Sequence, residues 1–157
     1  MAITLRTFED SDLDALFDWE SDPRAVQMAA FTRANPSDRH AFDANYDRIR
    51  NDPSVTLRAI DFDAEFVGTI GSFTMDDERN VTYWISPARW GQGVASRALQ
   101  AFLAIESTWP LFGRVAGHNG GSAKVLTRAG FVEVGTETAF ARGAGGEVVE
   151  HTFRLDR

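Results

Sequence analysis

Ile3, Leu5 and Thr7 alternate with their neighbours at period 2, the pattern of a strand with one buried face. The period then lengthens. Ser11, with Asp14 three residues on, makes a capping-box start for a helix carrying Leu13, Leu16 and Phe17. A loop around Asp22-Pro23 follows. Ser37 stands where a second helix would be capped. Its apolar stripe is Phe42, Tyr46 and Ile49, and Asn51-Asp52-Pro53 ends it, because the residue before a proline is driven out of the helical region. Three strands are predicted next, at 55–62, 65–75 and 80–86. The Asp63-Ala64 turn and the acidic turn Asp76-Asp77-Glu78 separate them as an antiparallel meander.

A glycine-punctuated segment opens a third helix, with Ala95, Ala98, Leu99, Phe102 and Leu103 at helical spacing, and Leu111 to Gly117 returns to strand. Strand, helix, strand is a crossover unit. Asn119 is placed to cap a fourth helix whose inner face is Ser122, Val125, Leu126 and Ala129. Gly130 sits where a left-handed cap belongs, and Phe131 packs back. The strands 131–140 and 147–155 close the chain as a hairpin around the glycine-rich loop Arg142 to Gly146. There is no internal repeat, and the alternation of strands and helices predicts one mixed α/β domain over 1–157.

Composition narrows the chemistry. A chain of 157 residues with 43% hydrophobic and 25% charged residues has a core to build, and a domain of this size buries roughly 70% of its unfolded surface. A net charge of −7 argues against a nucleic-acid surface and favours a cationic small molecule or peptide as partner. With no cysteine there is no disulfide, no thiolate-bound zinc and no catalytic thiol, and no metal is called for. No signal-like start and no apolar run long enough to span a bilayer is visible, so no membrane association is expected and the cytoplasm is the expected location.

The candidate chemistry lies in the run from Tyr83 to Ala95, where a strand ends at Ser86-Pro87, turns through Gly91 and Gly93, and becomes a helix. Glycine lets the backbone come close to a ligand, and the first turn of a helix offers unpaired N–H groups and a positive dipole end to a phosphate. Strand-glycine-helix is also the form of a plain turn. Two nucleotide motifs do not fit: the dinucleotide fingerprint needs a glycine where Ser96 stands, and a P-loop needs a Gly-Lys-Ser/Thr that is absent.

Trp90-Gly91-Gln92-Gly93-Val94-Ala95 after Tyr83-Trp84-Ile85 resembles the acyl-CoA-binding motif of the Gcn5-related N-acetyltransferases (GNAT), and in particular their ribosomal-protein N-terminal acetyltransferase-like branch. Trp90 stands where Arg or Gln is usual. Asn119-Gly-Gly-Ser122 leading to Gly130-Phe131 resembles the same family's Asn-x-x-Ser/Ala helix. Leu5-Arg6 with Asp10, Trp19 with Ser21-Asp22-Pro23, and Val67 to Ile70 extend the resemblance over nearly the whole chain.

The resemblance implies an α/β (α+β) fold with a mixed, mostly antiparallel, splayed sheet of about seven strands flanked by about four helices. It implies acetyl-CoA as co-substrate and transfer of its acetyl group to a primary amine, of a small molecule or of a peptide or protein N-terminus. It assigns the pantetheine arm to Tyr83, Trp84 and Ile85, with the Tyr83 N–H donating to the thioester oxygen. The pyrophosphate falls to the N–H groups of Gln92, Gly93, Val94, Ala95 and Ser96. Asn119 becomes a cofactor or acceptor contact and Ser122 the acid nearest the departing sulfur. The loop 28–35, with Phe31 and Arg33, is expected to shape the acceptor pocket. Two departures stand out: Leu126 replaces a frequent Tyr, and Arg79 replaces a Glu that serves some members as base.

Amine attack needs a free base. An alkyl ammonium of pKa near 10.4 is neutral in only about one part in two thousand at pH 7, a cost of roughly 4 to 5 kcal/mol. His118, beside Asn119, has the intrinsic pKa for a proton relay, and it is equally the kind of residue that simply bonds at a surface. The alternative reading is a catalytically idle acyl-CoA-binding module. The acceptor's identity and the oligomeric state, a homodimer included, stay open.

Overall fold

The computed structural model describes residues 2–157. Seven strands form one sheet in the order β1-β2-β3-β4-β5-β7-β6, comprising β1 (Ile3–Thr7), β2 (Thr56–Phe62), β3 (Glu65–Met75), β4 (Glu78–Ile85), β5 (Leu111–Ala116), β6 (Val132–Ala141) and β7 (Gly146–Leu155). Every neighbouring pair is antiparallel except β4 with β5. The helices are α1 (Leu13–Ser21), α2 (Pro23–Ala29), α3 (Arg39–Arg50), α4 (Val94–Leu103) and α5 (Gly120–Arg128). The mixed, mostly antiparallel class that the resemblance implied is the observed one.

Five helices stand where about four were expected, and the extra one is α2. The segment after Asp22-Pro23 is helical because Pro23 occupies the first turn, where its missing N–H costs nothing, and the Asp22 carboxylate accepts from Arg24 N–H at 2.8 Å. Two caps differ as well. A short 3₁₀ turn at Asp10–Asp12 precedes α1, with Asp12 accepting from Glu9 N–H at 2.9 Å, so Ser11 is not the cap. Asp38, not Ser37, caps α3 by accepting from Ala41 N–H at 3.0 Å. Strand β4 begins two residues earlier than predicted. Asp76 and Asp77 alone make the turn, both at positive φ, as tight hairpin turns require.

The two faces of the sheet carry different cores. On one, α4 and α5 pack Val94, Ala98, Leu99, Phe102 and Leu126 against Ile70, Val81, Ile85 and Val115. On the other, Phe8, Leu16, Phe42 and Tyr46 gather as an aromatic cluster, with Phe8 and Tyr46 stacked at 5.8 Å. Side-chain alternation along β4 sends Tyr83 to the first face and Trp84 to the second. Gly113 of β5 lets α5 close in, since a Cβ there would come within 2.8 Å of the Leu126 side chain.

Candidate active site

Strands β4 and β5 pair only at Arg79 with Leu111 and Asn80 with Phe112; beyond that they part. Backbone groups on a strand point alternately to its two neighbours, and Ser86 N–H donates to Val67 of β3 at 2.8 Å. Counting back by twos, Ser86, Trp84 and Thr82 turn their N–H and C=O toward β3, while Ile85, Tyr83 and Val81 turn theirs into the gap. The Ile85 carbonyl is taken by the Trp90 indole N–H at 3.1 Å, which gives the unusual tryptophan a role in bracing the turn. Among the described residues no strand pairs with the backbone of Tyr83 on the gap side.

The gap ends at the glycine turn. A 3₁₀ turn, Pro87–Arg89, leads to Gly91 at φ 76° and Gly93 at φ 78°, the latter capping α4. At both glycines a Cβ would meet nothing within 4 Å, so they are needed for backbone conformation and they face open space. The first helical bond runs from Arg97 N–H to Gly93 C=O at 3.2 Å, leaving the N–H groups of Val94, Ala95 and Ser96 without a partner inside the helix. A cleft of about 530 Å³ joins this turn to the gap and to the start of α5.

Asn119 caps α5, its side-chain oxygen accepting from Ser122 N–H at 3.2 Å. The helix closes as expected, Phe131 N–H bonding to Leu126 C=O at 3.1 Å and Gly130 N–H to Thr127 C=O at 3.0 Å, with Gly130 at φ 100°. So held, the Ser122 hydroxyl lies 2.5 Å from the Tyr83 hydroxyl, which arrives from β4. Burial pushes the Tyr83 phenol above its ordinary pKa, and the Ser122 bond partly opposes this. His118 donates from Nε2 to the Gln27 carbonyl at 2.7 Å, tying the end of β5 to α2.

Tyr83, His118, Asn119 and Ser122 therefore line one cleft, together with Trp84, Ile85, Gly93, Val94, Ala95 and Ser96. Three predicted residues do not. The Gln92 side chain turns back to Ala88 C=O at 3.3 Å. Phe31 is exposed outside the cleft. Arg33 is spent on scaffolding: it pairs with Glu20 at 2.8 Å, donates to the Pro36 carbonyl, and lies over the rings of Phe17 and Phe42.

The two departures from the family pattern also resolve into structure. Leu126 is a core residue that does not line the cleft, and Arg79 is buried in an ion pair with Glu106. The acidic turn at Asp76-Asp77 lies at the far end of β4, about 20 Å from Tyr83 at strand rise.

Sequence reasoning missed two features. One is Ala25, which lines the cleft beside Met28 and Ala29 of the stretch 28–35 already expected near the site; the other is the set of cations Arg89, Lys124 and Arg128 along it, in a chain of net charge −7. Their signal was the helical start at Asp22-Pro23 and the i, i+4 spacing of Lys124 and Arg128. Behind β4 lies a second cavity of about 420 Å³ lined by Glu20, Tyr46, Asp52, Thr82, Tyr83, Trp84 and a group of hydroxyls. There the Tyr46 hydroxyl donates to Glu20 at 2.5 Å. Burial pushes the Glu20 carboxyl up, with Tyr46 and Arg33 opposing. No periodicity in the sequence could have joined residues 20, 46 and 84.

Comparison with known proteins agrees with this geometry. The family model for the acetyltransferase (GNAT) domain matches residues 2–132. An N-acetyltransferase from Staphylococcus aureus Mu50 superposes with a TM-score of 0.84 at 15% identity, over 99% of both chains. Mycobacterium smegmatis RimJ, solved with CoA-disulfide, gives 0.81 at 21% identity over 98% of this chain and 81% of its own. The spermidine N-acetyltransferase from Vibrio cholerae, solved with CoA and spermine, gives 0.76 at 19% over 97% and 95%. No curated protein matches in sequence.

The chain belongs to the GNAT acetyltransferase family. It is an N-acetyltransferase whose acetyl donor is acetyl-CoA. Among the described residues no helix is long and apolar enough to cross a membrane.

Proposed function

We propose that residues 1–157 work as one acetyltransferase domain, with acetyl-CoA laid along the cleft and an amine-bearing acceptor approaching Tyr83 from the cavity behind β4. The observation that carries this reading is the gap between β4 and β5 opening directly onto the glycine turn. The residues present fit the donor. Open space over Gly91 and Gly93 and free N–H groups at Val94 to Ser96 suit a pyrophosphate, and Lys124 and Arg128 suit further phosphate charge, Arg89 being paired with Glu65.

Acetyl-CoA supplies an activated acyl thioester. The chain's part is to hold it, to donate Tyr83 N–H to the carbonyl oxygen as charge develops there, and to present Ser122 to the sulfur, with Asn119 fixing the serine. His118 keeps Nε2 on Gln27, so Nδ1 is the nitrogen left to relay the amine's proton. Asp52 and the hydroxyls in the second cavity, which Arg48 also lines, offer hydrogen-bond acceptors to an amine, either of a small molecule or of a peptide N-terminus, while Glu20 is already held by Arg33 and Tyr46. The small-molecule kind is in keeping with the spermidine N-acetyltransferase that this fold resembles.

Occupation of the family's phenol and Glu positions by Leu126 and Arg79 favours one second reading, an idle CoA-binding module. Calorimetric titration with acetyl-CoA, followed by thiol release in the presence of alkyl amines and peptides with free N-termini, separates the two. Binding with turnover is the expected result, binding alone leaves the idle module, and no binding removes both.

A further inference from the structure

We propose that the Tyr83 hydroxyl is a proton donor acting through Ser122, so that a phenol from β4 backs the hydroxyl that faces the departing thiolate. This rests on the transferase reading above and adds to it a residue whose side chain had no assigned part. Tyr83 and Ser122 come from different elements, and their oxygens lie 2.5 Å apart in the cleft. Each is fixed independently of the other. Tyr83 sits on β4 in register with Ile70 of β3, and Ser122 is locked at the start of α5 by Asn119. The phenol oxygen has a further, long contact of 3.5 Å to the Ser122 carbonyl, so it stays with this one residue.

Chemistry gives the pair its sense. An aliphatic hydroxyl is a far weaker acid than a phenol, so Ser122 alone is a poor proton source for a sulfur leaving group with a thiol pKa on the order of 8.5. With Tyr83 behind it the serine gives up one proton and receives another. The C–N bond forms and the C–S bond breaks with its electron pair passing to sulfur. The Ser122 proton goes to sulfur, the Tyr83 proton goes to the Ser122 oxygen, and the proton lost by the amine returns through solvent to the phenolate. A phenol of ordinary pKa about 10 is protonated at neutral pH, the state in which it can donate, and burial shifts it further the same way. Position 126, where the resemblance led one to look for a phenol, belongs to the core.

Other titratable groups share the surroundings. Arg89, His118, Lys124 and Arg128 line the same cleft, and Glu20, Tyr46, Arg48 and Asp52 line the cavity behind the strand. The test must therefore read Tyr83 itself. The chain has two tyrosines, so tyrosinate absorbance in a Tyr46→Phe background reports Tyr83 alone. Its ionisation is expected above the ordinary value of about 10 and to move further up in Ser122→Ala, because the serine bond favours the phenolate. A midpoint unmoved by Ser122→Ala would overturn the pairing.

With the fastest amine of the panel, Tyr83→Phe is expected to lower kcat about tenfold to hundredfold, with KM for acetyl-CoA unchanged. Tyr83→Phe combined with Ser122→Ala should be no slower than Ser122→Ala alone. A more acidic fluorotyrosine at position 83 should move the alkaline limb of kcat to lower pH, which a purely structural tyrosine would not do. Unchanged kcat in Tyr83→Phe overturns the relay while leaving the transferase standing. No turnover by the unmodified protein with any amine overturns both.

Discussion

At its first residues β4 is locked on both sides, and six residues later, among the described residues, no strand pairs with it on the β5 side. The locked end is polar and buried. Arg79 pairs with Glu106 at 3.3 Å and donates to the Ser54 carbonyl at 2.5 Å, while Ser72 bonds the other Glu106 oxygen. Arg114 of β5 reaches Glu78 at 3.1 Å and Asn80 at 3.4 Å, bracing the two paired positions across the strands. The open end has Tyr83, the Ser122 hydroxyl and the glycine turn. A sheet left open at an interior strand exposes unpaired backbone, which costs stability unless something else holds the strands. Here the charged network at one end lets the other end stay free for a ligand.

Removing the lock should have the largest effect. Glu106→Ala leaves Arg79, 8% exposed in its side chain, buried without its partner, and is expected to cost about 3 to 5 kcal/mol in urea unfolding. A loss under about 1 kcal/mol would mean that apolar packing alone holds the closed end. At the open end the balance reverses. Gly93→Asp puts a negative charge in the space over the turn and should weaken acetyl-CoA roughly a hundredfold by calorimetry, while costing only about 1 kcal/mol of stability for its positive φ. Equal losses of stability at the two ends would erase the distinction.

The smallest expected change is at the hinge between site and scaffold. Asn119→Ala removes the cap of α5 and should cost about 1 kcal/mol, a shift in Tm of roughly 2 to 4 °C. Because the same side chain fixes Ser122, kcat should fall more than stability suggests. A mutant slowed no more than its Tm implies would make Asn119 a cap and nothing else.

Much of this was readable before any coordinates. Strand alternation, the glycine turn, the Asn119 cap and the Gly130 stop are local features, decided by dihedral preferences and by which backbone groups lack partners within a few residues. The family resemblance rests on the same stretches. The errors at Ser11, Ser37 and α2 were local too: at the first two the neighbouring Asp12 and Asp38 make the bonds expected of a serine, and at the third a stretch read as loop is a short helix begun by Asp22-Pro23.

What tertiary structure decided was contact between distant positions. Leu126 and Arg79 read as missing catalytic groups until packing showed one filling the space over Gly113 and the other balancing Glu106. Arg33 is held by Glu20 and lies over two aromatic rings, contacts that no local pattern announced. Tyr83 meets Ser122 across 39 residues because β4 and α5 are set against the same gap. The sequence by itself determined most of the elements, the Asn119 cap and the glycine turn, because those depend on residues within one or two turns of each other. Which hydroxyls face one another, and where the cleft opens, depended on how the sheet splits, a property of strand pairing that no single segment carries.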